Sequence, residues 1–348
     1  MPSYRIVRVQ QDSLHSLLQS TPISVQTRCE IASHLWAHQI SPSASTVGGD
    51  DLDAYFRYYT EQSDLFSGST WAKTHQDILD ISSLLQQDLR RGELKEKFRA
   101  MRTSTQSSVQ NDMLESSIDL TIRLLLMTRV GHLPNQFSAY KALLWDGQVS
   151  LRESAWSSFK PRGALDHEHV KLTKIFTARS LERIAGIKIK WTNNFVDHLR
   201  ILDDDDTQVA IFHHALFLEA YTLSPGLVDE TLRTLALLFP ATDETRVWFK
   251  KAASTEKLDP KLLTCGRLRV EDRQINEFKF WRDRLVILKQ IFDEKEPTSW
   301  SQWLHDRRRG LQRYPFLLAA AALLFAILVG IIQCIEGAIQ VYKAIYPS

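Results

Sequence analysis

Imidazoles and carboxylates crowd one short stretch of this sequence: Asp197, His198, the run Asp203 to Asp206, and the pair His213 and His214. Such side chains are ordinary ligands for zinc and other divalent ions, and Asp197, His198, Asp203 and His213 are the metal candidates. The spacing speaks against them. Adjacent helical residues diverge by about 100°, so Asp197 cannot readily share an ion with His198, and His213 and His214 meet the same difficulty. The structural reading makes the aspartates a solvated turn, with one capping the following element. His198 and His213 then hydrogen-bond backbone groups between two strands. That reading is preferred, and no metal is assigned.

Two further pairs carry the same chemistry in weaker form. His34 and His38 lie one helical turn apart, and His167 and His169 sit in a loop-like segment; each is half a metal site with no third ligand nearby in sequence. Phosphate-binding glycine loops, H-E-x-x-H, paired Cys-x-x-Cys, G-x-S-x-G and G-x-G-x-x-G do not occur, which removes the most readable enzyme classes. No catalytic or cofactor-binding residue is assigned, and no cofactor is expected.

The elements that must position these groups read as mainly α. Apolar spacing of three and four recurs from Trp71 to Ala100, where Ile78, Ile81, Leu85 and Leu89 share a face, and from Arg273 to Phe292. In the second segment Phe278, Trp281, Leu285, Leu288 and Phe292 form a short heptad seam, which predicts packing on its own domain rather than a coiled coil. Strand-like alternation is confined to Gly186–Trp191 (GIKIKW) and Thr207–Phe212 (TQVAIF). They predict a small two-strand β insert flanking a short helix at Asn193 to Arg200. Breaks fall at Ser41–Asp51, Arg102–Ser108, Lys160–His169, Ser224–Gly226 and Asp293–Ser299. The expected organisation is a soluble helical body over residues 1–296, with sub-boundaries near 102–110 or 160–168. A basic juxtamembrane linker (297–314), a transmembrane helix (315–335) and a short tail (336–348) follow it.

The stretch Thr177 to Leu218 contains W-T-x-N-x-x-x-D-H-L followed by V-x-I-F-H-H-x-x-F-L, and this wording resembles a recurrent core in uncharacterised filamentous-fungal proteins. The likeness returns at the end. A basic, tryptophan-containing stretch like Trp300–Arg313 leads there into an apolar helix and a tail of the form I-E-G-A-x-Q-V-Y-K, here Ile335–Lys343. The resemblance implies a fungal origin and a single membrane helix; it carries no activity with it.

Pro315 to Ile335 runs without a charge and supplies the roughly 20 apolar residues that a bilayer core requires. Arg307, Arg308, Arg309 and Arg313 precede it, while Lys343 alone follows, so the positive-inside rule predicts a body facing the cytosol. A short tail beyond the span predicts post-translational insertion as a tail-anchored protein. The tail has no basic cluster, which favours the endoplasmic reticulum over the outer mitochondrial membrane. The N-terminal residues Met1 to Gln19 are interrupted by arginines and do not read as an export signal. Small residues Ala322, Ala326, Gly330 and Cys334 recur at intervals of four, a spacing that lets helix backbones approach closely and that chance also produces in an alanine-rich span.

Composition bounds the partners. With 43 basic and 41 acidic residues, net +2, the chain has no field that would hold nucleic acid. Three scattered cysteines, Cys29, Cys265 and Cys334, fit a reducing compartment rather than a disulfide framework. The expected partners are a lipid bilayer, an unidentified protein, and a second copy through the membrane helix. The leading expectation is a tail-anchored, cytosol-facing interaction or scaffold protein. The alternatives are a membrane-associated auxiliary enzyme of lipid or specialised metabolism, and a self-associating membrane protein in fungal recognition or defence.

Overall fold

A computed structural model describes residues 13–19, 22–36, 52–101, 108–131, 142–145, 147–160, 170–220, 225–296 and 310–345. The protein is mainly α, with twelve α-helices among those residues and one small three-stranded sheet. The chain divides into two compact units, Met1–Glu296 and Pro297–Ser348.

In the first unit, α1 (Val25–Trp36), α2 (Asp53–Phe66), α3 (His75–Leu85), α4 (Arg91–Met101) and α5 (Ser108–Leu126) come first. Local chemistry sets their limits. Thr74 and Asp77 form a capping box on α3: the Thr74 hydroxyl accepts the Asp77 N–H at 3.2 Å, and the Asp77 carboxylate accepts the Thr74 N–H at 2.9 Å. Two tyrosines of α2 then tie the helices together. Tyr55 donates to the Leu124 carbonyl (2.8 Å) and Tyr58 to the Arg123 carbonyl (3.2 Å). Both carbonyls belong to the last turn of α5, where no intrahelical donor remains.

Next come α6 (Leu151–Phe159) and α7 (Ala178–Ala185). Gly186 ends α7 at φ 68°, a left-handed conformation cheap for glycine, and its N–H bonds the Leu181 carbonyl. That turn delivers the chain into β1 (Lys188–Thr192). A single 3-10 turn at Phe195–Asp197, β2 (Arg200–Ile201) and β3 (Gln208–Phe212) follow. β3 lies in the centre, parallel to β1 with Ile189 opposite Val209, and antiparallel to β2 with Arg200 opposite Ala210. The third strand is an addition to the two read from sequence. It is only two residues long, too short to show an alternation, and it takes the end of the segment expected to be helical.

The unit closes with α8 (Ala215–Ala220), α9 (Pro225–Leu238), α10 (Asp243–Thr255) and α11 (Arg282–Glu294). The seam Phe278, Trp281, Leu285, Leu288 and Phe292 is buried in this unit's own core. Its first two residues precede α11, whose entrance is held by Glu230 of α9. That buried carboxylate accepts the N–H groups of Lys279, Phe280 and Trp281 at 2.7 to 2.8 Å. The helical spacing over Trp71–Ala100 belongs to two helices, α3 and α4.

In the second unit α12 spans Gly310–Ile345. Within it Leu318–Tyr342 is long and apolar enough to cross a membrane, and its side chains, Leu324 and Phe325 among them, are exposed. The breaks expected at 41–51 and over 161–169 lie outside the described residues, as do His38, His167, His169 and Arg307–Arg309.

Candidate functional site

The metal candidates do not converge. Each has a separate hydrogen-bonding task, and among the described residues no group of three or more His, Cys, Asp or Glu side chains is placed to hold a metal ion. Asp197 accepts from the Asn194 amide at 2.6 Å and faces Arg200 at 3.3 Å. Asp203 accepts the backbone N–H groups of Thr207 and Gln208 at 2.8 to 3.1 Å, so it caps the start of β3. Burial is the largest single influence and would raise its pKa, but the bonds from the Thr207 hydroxyl and the backbone N–H groups together outweigh it and hold the carboxyl below its ordinary range. His34 is exposed and its Nδ1 lies 2.8 Å from the Glu30 carbonyl of its own helix.

His198 is fully buried between β3, α9 and α11. Its Nδ1 accepts the Phe212 N–H (3.3 Å), and its Nε2 sits 2.7 Å from the Thr234 hydroxyl. The Trp281 ring meets it edge-on at 5.0 Å. Burial, helped by Arg284, pushes its pKa down to about 3. The next residue, Leu199, holds φ 59°, a costly conformation for a branched side chain. Its N–H bond to the Ala210 carbonyl (2.8 Å) keeps the turn in place. His198 is therefore a fixed, neutral joint of the core.

His213 and His214 differ from their expectation in an informative way. They follow β3 in irregular backbone, where the helical divergence of neighbours does not apply, and their rings stack with centroids 4.0 Å apart. Both Nε2 atoms reach one atom, Asn193 Oδ1, at 3.1 and 2.7 Å. His213 thus binds a side chain rather than backbone. Burial pushes His213 down to about 3, assisted by Arg57, and lowers His214 well below the usual imidazole range, assisted by His213.

Beside His213 opens a cleft of about 280 Å³. Its buried lining comes from Ala54 and Tyr58 of α2, His213, and Leu258 just after α10; Trp191 and Asn193 are half-buried. The exposed lining is mostly charged, with Arg57 and Glu61 on α2 and Glu256 and Lys257 after α10, beside Thr255 at the end of α10. Arg57 and Glu61 pair at 3.0 Å. Sequence reasoning found His213 but missed Asn193, Tyr58 and the residues after α10, because segments far apart in the chain meet here. The adjacent Asn193–Asn194 pair after β1 was the available signal.

The four small residues Ala322, Ala326, Gly330 and Cys334 follow one face of α12, and a Cβ placed on Gly330 would meet nothing within 4 Å. Arg313 lies in the first turns of the same helix. Against known proteins, no family model matches the chain, and neither a curated protein nor a solved structure matches it.

Proposed function

We propose that this protein is a membrane-anchored interaction or scaffold protein, with the unit 1–296 facing the cytosol and α12 crossing the bilayer. The observation that supports this most is the exposure of the whole apolar length of Leu318–Tyr342, set beside a first unit with a hydrophobic core of its own. Exposed leucines and phenylalanines in that number are costly in water and favourable in lipid. The arginines before the helix support the cytosolic orientation, and the endoplasmic reticulum is the proposed membrane.

The cleft favours binding over turnover. General acid–base work needs a group whose pKa lies near the operating pH. His213 is held neutral down to about pH 3, and the Tyr58 hydroxyl, already donating to a carbonyl, is pushed above its ordinary range by burial. A polar-lined cleft is nevertheless the feature that an auxiliary enzyme would need, and it is the specific support for that second reading.

The test is fractionation of cells expressing the full chain or a chain lacking Pro315–Ser348. The full chain is expected in the carbonate-resistant pellet, with its body digested by protease added to intact microsomes. The shortened chain is expected in the supernatant. A full chain extracted by carbonate, or a shortened chain that stays in the membrane, would overturn the anchor, and a body protected from protease would overturn the orientation.

A further inference from the structure

Asn193 occupies an unusual position in the hydrogen-bonding of the cleft. Its Oδ1 faces two imidazole Nε2 atoms, at 3.1 and 2.7 Å, and an amide oxygen has two lone pairs to accept with. Both imidazoles must then carry their proton on Nε2, in keeping with their neutrality. With both rings in that form, Oδ1 is the amide end facing the histidines and Nδ2 is the end turned away from them. The remaining end, Nδ2, has two N–H groups with no partner among the described residues, on a half-buried residue that lines the cleft. The Nδ1 atoms of His213 and His214 are buried without partners, so two unsatisfied acceptors lie behind this amide. Buried polar groups left unpaired cost stability and call for an explanation other than packing.

The charges around Asn193 narrow the ligand. Arg57 and Glu61 neutralise one another, whereas Glu256 and Lys257 line the cleft with no ion-pair partner among the described residues. One uncommitted cation, one uncommitted anion and an oriented amide donor thus border one opening. Trp191 adds an indole, itself stacked on Phe239 at 5.6 Å. A phosphate would meet the two glutamates, and His213, Glu61 and Glu256 are not placed together to hold a metal ion. At about 280 Å³ the cleft lies just below the roughly 300–1,000 Å³ of sites for drug-sized molecules.

We propose that the cleft binds a small zwitterion of the free amino acid class. The carboxylate accepts from Asn193 Nδ2 and is drawn by Lys257, the ammonium is held by Glu256, and the uncharged part lies against Trp191. This goes beyond the anchoring reading and does not depend on it.

The test is calorimetric titration of the full chain in detergent micelles with free L-amino acids, followed by the N-acetyl amide of any that binds. At least one free amino acid is expected to saturate one site, and its capped form to bind about tenfold more weakly or worse. Asn193→Asp keeps acceptors for both histidines and replaces the amide donor by a negative charge; about a tenfold loss is expected. Lys257→Gln, on an exposed residue, tests the same idea without touching the core, with a loss of about threefold or more. No saturation by any amino acid up to about 10 mM, equal binding of the capped form, or wild-type affinity in Lys257→Gln would overturn the proposal. Membrane partition of the same preparations is scored separately, so failure here is distinguishable from failure of the anchor.

Discussion

Two apolar helices of this protein, α5 and α12, use the same residue types to opposite ends. In α5, Ile118, Leu120, Ile122 and Leu124 are completely buried, and polar side chains are placed among them with partners in reach. Ser117 accepts the N–H groups of Trp71 and Ala72 at 2.8 and 3.1 Å. Glu115 and Asp119 bind Arg91 at 2.6 and 2.7 Å, and Arg123 lies over the Phe66 ring at 4.8 Å. In α12, Leu324, Phe325, Leu328 and Ile331 are exposed, and from Leu318 to Ile332 no polar side chain interrupts them. Apolar content alone therefore does not separate a core helix from one suited to lipid. The polar handles do, because each one ties a core helix to a particular neighbour.

Acid should divide the two regions most sharply. His198, His213 and His214 are neutral in the fold, with His198 and His213 titrating at about 3 and His214 well below its usual range. The unfolded chain takes up those protons below about pH 6.5. Lowered folded values mean that the stability they confer is complete above about 6.5 and is lost as the pH falls from there toward 3. Each histidine contributes a slope of about 1.4 kcal/mol per pH unit, so three contribute about 4. Ordinary domain stability, about 5–15 kcal/mol, is then exhausted between about pH 5 and about pH 3, depending on where in that range the body lies. Near-ultraviolet circular dichroism should show the melting temperature of the body falling steeply as the pH drops from about 6.5 to about 5, while the carbonate-resistant fraction from α12 stays constant. A melting temperature that is flat over that range would contradict the neutral-histidine assignment.

A matched pair of truncations sharpens the same contrast. Leu124→Ala opens a cavity in the packed core and should destabilise the body by about 2–5 kcal/mol, read as a lower midpoint in urea. Leu324→Ala should leave that midpoint unchanged and weaken insertion by about 0.5 kcal/mol. Equal effects on body stability would mean that α12 is a core helix after all. The smallest effect belongs to Gly330→Leu. Since a Cβ there meets nothing within 4 Å and leucine favours lipid, the membrane fraction should not change. If the face bearing Ala322, Ala326, Gly330 and Cys334 holds two copies together, disulfide capture through Cys334 falls in this variant and not in Leu324→Ala.

What could be read from the sequence follows the range of the interactions. The helical character, the two main strands, the inward seam ending at Phe292 and the apolar span are local patterns of period 3.6 or 2, and each is visible in a short window. β2 is a two-residue pairing imposed by β3, with no period of its own. The convergence of His213 and His214 on Asn193 was hidden by treating neighbours as helical, when the chain there is irregular. The cleft joins α2, the end of β1 and the residues after α10, a juxtaposition that only the fold creates. The hydroxyl bonds of Tyr55 and Tyr58 to the end of α5 likewise appear only once the two helices are packed.

The length of the span in α12 bears on which bilayer would suit it. Its charge-free run, Pro315–Ile335, is 21 residues, and at about 1.5 Å each it makes a rod of about 32 Å, close to the roughly 30 Å hydrocarbon thickness of an average membrane. The small excess is hydrophobic mismatch, relieved most simply by tilt: about 18° in an average bilayer, roughly 31° in one of about 27 Å, and none in one of about 33 Å. Such tilts lie within the range of about 0–40° that single helices adopt. Length therefore lets the helix sit in thin and thick bilayers alike, and sorting between them falls to the charge pattern of its flanks.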